Sequence, residues 1–411
     1  MICFYFPAKG VGGLQSIIIN ITEQLSKLGY CVKVICYEDS VTVRELRNRK
    51  VSFRFIDFLV LNQLNCRQYV DKNDTVVFFE PFMNWDFFYK ANPKIFFWSY
   101  PKIFDHLNII IRFQILFVTK RLIQVLIKKN AVAFMDRASS EQIKSKIGVI
   151  IKEPKFLPIP VKDVENNVYL NKQARIKKNK FHVTYMGRGI YWKYYPCLRI
   201  IQDLCAIQID NVRIKFHILT DDIDFYKSRV LKDVKEMASL EVRYHRDVYG
   251  SRLDEFLIQN SDLNISMGTS CIEGSKLGIP SLLIDASCEE ISNSYKYRWI
   301  FESIDYCLGY IWDNKKGTYP QGERLATIIN DLIFSERFRK QISSQCFSYT
   351  MDNHSLCLVT DRFLKLTQST EARVLNVSKY CIGISKVLNL LSKFIAFFAK
   401  IFRCIRHSCS T

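Results

Sequence analysis

Residues 264–285 read "NISMGTSCIEGSKLGIPSLLID". The stretch opens with a strand-like run to Met267, turns at Gly268, and continues through "CIEGSKLG" with the character of a short helix. Gly278 suits the left-handed residue that closes a helix, Pro280 bars continuation, and "PSLLID" is a second strand-like run. Strand, helix and strand in this order make a βαβ unit, which belongs to a parallel sheet. Ser270-x-x-Glu273 has the form of a capping box, in which the serine covers one free N–H and the glutamate reaches back to another. The same glutamate stands past the carboxyl end of a strand, where open α/β sheets bind ligands. Capping and ligand binding are both open at Glu273 on this stretch alone.

The alternation extends upstream. "FHVTYMGRG" (181–189) is a strand closing on a glycine turn, "YPCLRIIQDLCAI" (195–207) a helix, "RIKFHILT" (213–220) a strand and "SRLDEFLIQN" (251–260) a helix. At "KFLPIPVKD" (155–163), Pro158 and Pro160 bracket an extended segment that propagates neither element. Before that break lies a first unit: strand "MICFYF", glycine turn "AKGVGG", a helix with Leu14, Ile17, Ile18, Ile21, Leu25 and Leu28 at helical spacing, Gly29 to end it, and strand "YCVKVICYE". "VSFRFI", "DTVVFFE", "KIFFWSY" and "AVAFMD" supply further strands. The prediction is an α/β chain of two doubly wound units, 1–157 and 158–350, followed by a closing helix at 351–370 and a tail at 371–411. Residues 321–367 read as helices, with "MDNHS" as a turn between them.

A chain of 411 residues exceeds what one core usually supports. With 48% hydrophobic and 24% charged residues it belongs to the folded globular class. Fourteen cysteines without a regular framework, and no basic-then-apolar leader at the start, predict reduced thiols and a cytoplasmic location. The net charge of +19 calls for an anionic partner. Residues 108–130 hold five basic side chains and no acid, and residues 371–411 hold seven against Glu371 alone. Both segments are otherwise apolar, which fits a membrane surface and not the polar groove of a nucleic-acid binder. In the tail, Lys379, Lys386, Lys393, Lys400 and His407 recur every seven residues among Ile384, Leu388, Leu391, Ile395, Phe398 and Phe402. A lysine every two turns favours a helix lying in the interface over one that spans it.

In "YMGRGIYWK" a strand closes on Gly187, and Arg188 and Lys193 follow it. Two cations on one loop suit a diphosphate, the arginine engaging two oxygens and the lysine adding a point charge. Gly-Arg-x4-Lys opening a second α/β unit, followed about eighty residues later by Gly-x-Ser-x-x-Glu-x-x-x-x-Gly-x-Pro, resembles the donor domain of GT-B glycosyltransferases, especially family four and its relatives. "GVGGLQSIIINITEQLSKLGYCVKV" resembles their first βαβ unit, "FLPIPV" their interdomain linker and "NHSLCLVTDRFLKL" their closing helix. The resemblance covers residues 1–367 and implies a GT-B architecture, two Rossmann-like units facing across a cleft.

It further implies a nucleotide-diphospho-sugar donor as substrate, with no cofactor and no metal. Arg188 and Lys193 would bind the diphosphate, with Gly187 at the turn; Glu273 would accept from the ribose hydroxyls; Gly268, Thr269 and Ser270 would present N–H groups to the phosphates. Gly12 and Gly13 would let the first loop approach the donor, and the base would pack near "VRYHRDV", around Tyr244 to Arg246. Family four commonly shows Glu-x7-Glu, the first glutamate touching the donor sugar; here that position is Ile265. Glu80, Asp105, His106 and Asp136 are candidate acids or bases, and Tyr100 stands where related enzymes often carry a histidine. Asp222-x-Asp224 reads as a turn and helix cap. Family and membrane placement together imply a polyprenyl-diphosphate-linked saccharide acceptor, of the kind used in bacterial O-antigen or capsule assembly. The competing readings are a nucleotide-sugar 2-epimerase and a non-catalytic membrane-binding protein on the same fold.

Overall fold

The structure, a computed structural model, describes residues 1–10, 12–79, 85–99, 109–164, 179–233, 240–313, 322–378 and 380. The chain forms two compact units. One comprises Met1–Met135, Ser139–Leu157 and the chain from Asp361 onward; the other comprises Asp136–Ala138 and Pro158–Thr360.

The N-terminal unit holds six parallel strands, β1 (Ile2–Tyr5), β2 (Val32–Cys36), β3 (Arg54–Asp57), β4 (Thr75–Phe78), β5 (Lys94–Ser99) and β6 (Val132–Phe134), in the order β3-β2-β1-β4-β5-β6. Ile2 pairs with Val32 on one side and Thr75 on the other, so the order reverses at β1. Every residue of β1, β2 and β4 is buried, as expected of a parallel sheet covered on both faces. Helix α1 (Gly13–Lys27) buries Ile17, Ile18, Ile21 and Leu25, and Gly29 at φ 80° closes it in the left-handed conformation. Leu28, expected on the buried face, is exposed, because the helix ends before it. Helices α2 (Val41–Asn48), α3 (Cys66–Tyr69), α4 (Ile109–Lys128) and α5 (Arg137–Ile147) complete the wrapping.

Two basic segments depart from the membrane reading where they are described. In α4, Leu122, Ile123 and Leu126 are fully buried in the N-terminal core, so its second half is a core helix with Arg121 and Lys128 outside. At the expected start of the tail, the Ala372 carbonyl accepts from the Ile95 N–H (2.9 Å), and Ala372, Val374 and Val377 are buried in the same core. The chain at 371–378 thus docks on the N-terminal unit, where Arg373 bridges Lys94 at the start of β5. Lys379 and residues 381–411 lie outside the described residues. No helix among the described residues is long and apolar enough to cross a membrane.

The C-terminal unit has strands β7 (Lys180–Met186), β8 (Arg213–Thr220), β9 (Leu240–Arg246), β10 (Leu263–Ser266), β11 (Ser281–Leu283) and the antiparallel β12 (Arg298–Trp299), in the order β12-β11-β10-β7-β8-β9. Its helices are α6 (Tyr191–Cys205), α7 (Ile223–Asp233), α8 (Ser251–Asn260), α9 (Thr269–Ser275), α10 (Leu325–Phe334), α11 (Glu336–His354) and α12 (Leu356–Ser369). α6 begins four residues earlier than expected and carries Pro196 inside it. The proline lacks the N–H that would bond to the Trp192 carbonyl, and that carbonyl accepts instead from the Ser287 N–H at 3.2 Å. "MDNH" is helical, and the turn between α11 and α12 is Ser355 alone. Past Thr360, α12 belongs to the N-terminal unit, where Phe363 packs against Phe4, Phe96 and Trp98.

Candidate functional site

The strand order of the C-terminal unit reverses between β7 and β10. β8, next in the chain, lies on one side of β7, and β10 lies on the other. Such a reversal leaves a crevice outside the carboxyl ends of the two strands, because the helices that follow them go to opposite faces. The Met186 N–H, at the end of β7, donates to Ser266 Oγ at the end of β10 (3.2 Å), which ties the two strand ends together. Arg188 and Lys193 follow β7; Gly268, Thr269, Ser270 and Glu273 follow β10. The two motifs are therefore brought to one place by topology.

The loop after β7 rests on two buried tyrosines. Tyr185 Oη donates to the Lys193 carbonyl (2.6 Å), and Tyr226 Oη donates to the Arg188 carbonyl (2.9 Å). A Cβ on Gly187 would lie 2.6 Å from the Tyr185 ring and 2.8 Å from Tyr226 Oη, so glycine is required there by close approach. The Gly189 N–H donates to Asp221 Oδ1 (2.8 Å), and its own Cβ position is taken up by Asp222. Arg188 is exposed, and Lys193 is half-buried on the first turn of α6 with its ammonium 5.4 Å from the Trp192 ring centroid. Desolvation pushes the Lys193 pKa down to about 8; the Arg188 cation adds to the shift and Asp221 opposes it. Neither Tyr185 nor Tyr226 stands out in the sequence, where both read as core aromatics.

On the β10 side the expected capping box is absent. The N-cap of α9 is Gly268, at φ 60° and ψ −138°, and no side chain caps it. Glu273 instead turns toward the helix end, where its Oε2 lies 2.6 Å from Lys276 Nζ; the same ammonium is 2.9 Å from Asp254 Oδ1 on α8. The Gly268 N–H does not face a ligand, because it donates to the Leu308 carbonyl (2.8 Å). The Gly268 carbonyl accepts from Cys271 and Ile272, while the Thr269 and Ser270 N–H groups of the first turn precede those bonds. Gly278, at φ 74°, closes the segment beyond α9, with the Ile279 N–H returning to the Gly274 carbonyl (3.3 Å).

Solved structures provide the comparison. A glycosyltransferase from Rickettsia africae ESF-5 gives a TM-score of 0.59 at 14% identity, over 89% of this chain and 97% of its own. HepE from Anabaena, solved in complex with UDP, gives 0.59 at 13% identity, over 90% of this chain and 99% of that one. A variant of S. aureus TarM in complex with fondaparinux, alpha-GlcNAc-glycerol and UDP gives 0.54 at 11% identity, over 89% and 99%. The chain has the GT-B fold. No protein-family model and no curated protein sequence matches it.

In this GT-B chain the remaining candidates fall into place as follows. Gly12 and Gly13 head α1 in the N-terminal unit, with Gly12 in extended backbone that any residue adopts. Glu80, Tyr100, Asp105 and His106 lie outside the described residues, and Asp136 packs with the C-terminal unit. Asp222 caps α7 by accepting from the Phe225 N–H (2.9 Å). Among the described residues no group of three or more His, Cys, Asp or Glu is arranged to hold a metal ion.

"VRYHRDV" is mostly the edge strand β9, in which Tyr244 packs against the core, His245 turns to the opposite face and Arg246 is exposed. There it ends a ladder that the sequence hides: His182 Nδ1 and His217 Nε2 are 2.9 Å apart, and His217 Nδ1 and His245 Nε2 are 3.0 Å apart. Burial, with the neighbouring histidines and cations, pushes the His217 pKa down to about 3, and burial lowers His182 and His245 as well.

Proposed function

We propose that this chain is a nucleotide-sugar-dependent glycosyltransferase whose C-terminal unit binds the nucleoside diphosphate of the donor. The observation that carries the reading is the convergence of Arg188 and Lys193 after β7 with Glu273 after β10, on the two sides of the strand-order reversal. A diphosphate meets two cations there, and a ribose meets a carboxylate. That HepE and TarM were each solved with UDP supports the same ligand class.

In the reaction, the bond between the anomeric carbon and the donor phosphate oxygen breaks while the acceptor hydroxyl oxygen bonds to that carbon. Negative charge builds on the departing diphosphate. Arg188 and Lys193 stabilise it from fixed positions, so they do what a divalent cation does elsewhere, and no resident metal enters the reading. In the retaining arrangement the departing phosphate takes the acceptor's proton, so no separate base is needed. The N-terminal unit takes the acceptor, a saccharide on a polyprenyl-diphosphate carrier in surface polysaccharide assembly. The basic tail beyond residue 378 holds the enzyme to the inner face of an anionic membrane.

The test is a titration of UDP, GDP, CDP and ADP, each also as its diphospho-sugar, followed by calorimetry and product release. The tightest nucleotide should lose about tenfold or more in affinity in Arg188→Ala, the scale of one hydrogen bond to a charged group, and transfer should fall in parallel. Unchanged nucleotide affinity in both Arg188→Ala and Glu273→Ala would refute the site.

A further inference from the structure

Lys276 is a buried ammonium with no part in the reading above. Its side chain is 6% exposed, at the C-terminal cap of α9, while Glu273 and Asp254 beside it are 23% and 34% exposed. Burying a lysine is unfavourable unless acids pair with it, and a neutral residue would close a seven-residue helix as well. Here the pairing is double and comes from two helices. Glu273 Oε2 lies at 2.6 Å from α9 itself, and Asp254 Oδ1 at 2.9 Å from α8. Burial alone would lower the lysine's pKa; the two carboxylates outweigh it, and the net shift is upward. Lys276 is the partner of Glu273 among the described residues. The carboxylate is thus pinned by a fixed cation and keeps acceptor capacity for a ligand.

We propose that Lys276 is a positioning residue for ribose recognition: tethered to Asp254, it holds Glu273 as an oriented acceptor for the hydroxyls of the donor nucleotide's ribose. The inference rests on the donor-site reading. A carboxylate has about four lone-pair positions, and the lysine uses one, so a diol can still engage Oε1 and the second lone pair of Oε2. Without the lysine the side chain regains its rotamers and sits beside a second carboxylate with no cation between them. A pre-oriented acceptor loses little entropy on binding, whereas a free one loses more.

The experiment compares each ribonucleoside diphosphate of the panel with its 2′-deoxy form by calorimetry, on the full chain, in the wild type, Lys276→Met, Lys276→Arg and Asp254→Asn. The wild type should prefer the ribonucleotide by about tenfold, the scale of a hydrogen bond to a charged acceptor. Lys276→Met should bring that ratio close to one while leaving the deoxy affinity nearly unchanged, and Lys276→Arg should restore most of it. Asp254→Asn, which keeps the lysine and weakens its tether, should lower the ratio part-way. A role confined to tying α8 to α9 would lower the melting temperature and leave the ratio at its wild-type value; that result, in Lys276→Met and Asp254→Asn together, overturns the proposal. Wild-type protein that binds none of the nucleotides fails the donor-site reading itself. Wild-type protein that binds them without preferring ribose fails this inference alone.

Discussion

Lys193 makes the donor site sensitive to alkaline pH in a range where the charge of the diphosphate does not change. Its pKa stands at about 8, held down first by desolvation and then by the Arg188 cation. A nucleoside diphosphate loses its last phosphate proton near pH 6, so between pH 7 and pH 9 the charge of its diphosphate is constant. If the diphosphate requires the ammonium, affinity tracks the protonated fraction of Lys193, which falls about tenfold over those two units, or about 1.4 kcal/mol of binding. The sign follows from the charge lost: binding is nearly full at pH 7, about halved at pH 8 and weakens further above it. Two variants isolate the cause. Lys193→Arg keeps a cation that does not titrate in this range, so its affinity should be flat to pH 9.5 even if lower throughout. Arg188→Gln removes the neighbouring cation, so the weakening should move to higher pH. The assay is calorimetric titration of the tightest nucleotide at pH 7, 8, 9 and 9.5. A wild-type profile that is flat to pH 9.5, or the same slope in Lys193→Arg, refutes the assignment of Lys193 to the diphosphate.

Two further outcomes test the framework around the site. His217 is held well below its ordinary value of 6.5, at about 3, so the unfolded chain binds the extra proton and stability is lost as pH falls below 6.5. From pH 6.5 to pH 5 that amounts to about 2 kcal/mol, and denaturant titrations at the two pH values should show the slope reduced by about that much in His217→Leu; an unchanged slope would be incompatible with the ladder. Gly187→Ala drives a Cβ into Tyr185 and Tyr226, an overpacking on the order of 1–3 kcal/mol, and should lower both the melting temperature and nucleotide affinity; wild-type values for both would show that the loop does not rest on these rings.

What the sequence made legible is what local chemistry determines. The strand runs, Gly29, Gly278 and the proline segment act through their own backbone preferences, and each reads correctly from its neighbours. Arg188 and Lys193 were legible as cations past a strand end. Contacts that depend on a distant partner were not. Ser270-x-x-Glu273 has the spacing of a capping box, yet Lys276 offers Glu273 a charged partner that outcompetes a single N–H. The early start of α6, which puts Pro196 inside the helix, depends on Ser287, ninety-one residues away, whose N–H supplies the bond that the Trp192 carbonyl lacks. The edge strand β9 carries alternating charges and histidines, and only the adjacent β8 makes that pattern a paired strand.

Ile265 is the residue whose meaning changes most. Eight positions before Glu273, the resemblance to family four leads one to expect a sugar-contacting glutamate, and an isoleucine there favours a chain that has lost its chemistry. In the structure Ile265 is the third residue of β10, fully buried, paired with Leu282 in the core of the C-terminal unit. A carboxylate at that position would be an unpaired buried charge, which folding opposes by several kcal/mol, at about the scale of a large core mutation. The position therefore cannot serve a ligand whichever residue fills it. A glutamate eight residues ahead of Glu273 reaches the crevice only if the turn after β10 is longer, so that the eighth position falls past the strand end. The short Met267–Gly268 turn slides the count back into the strand. An apolar residue at 265 is then a requirement of the sheet.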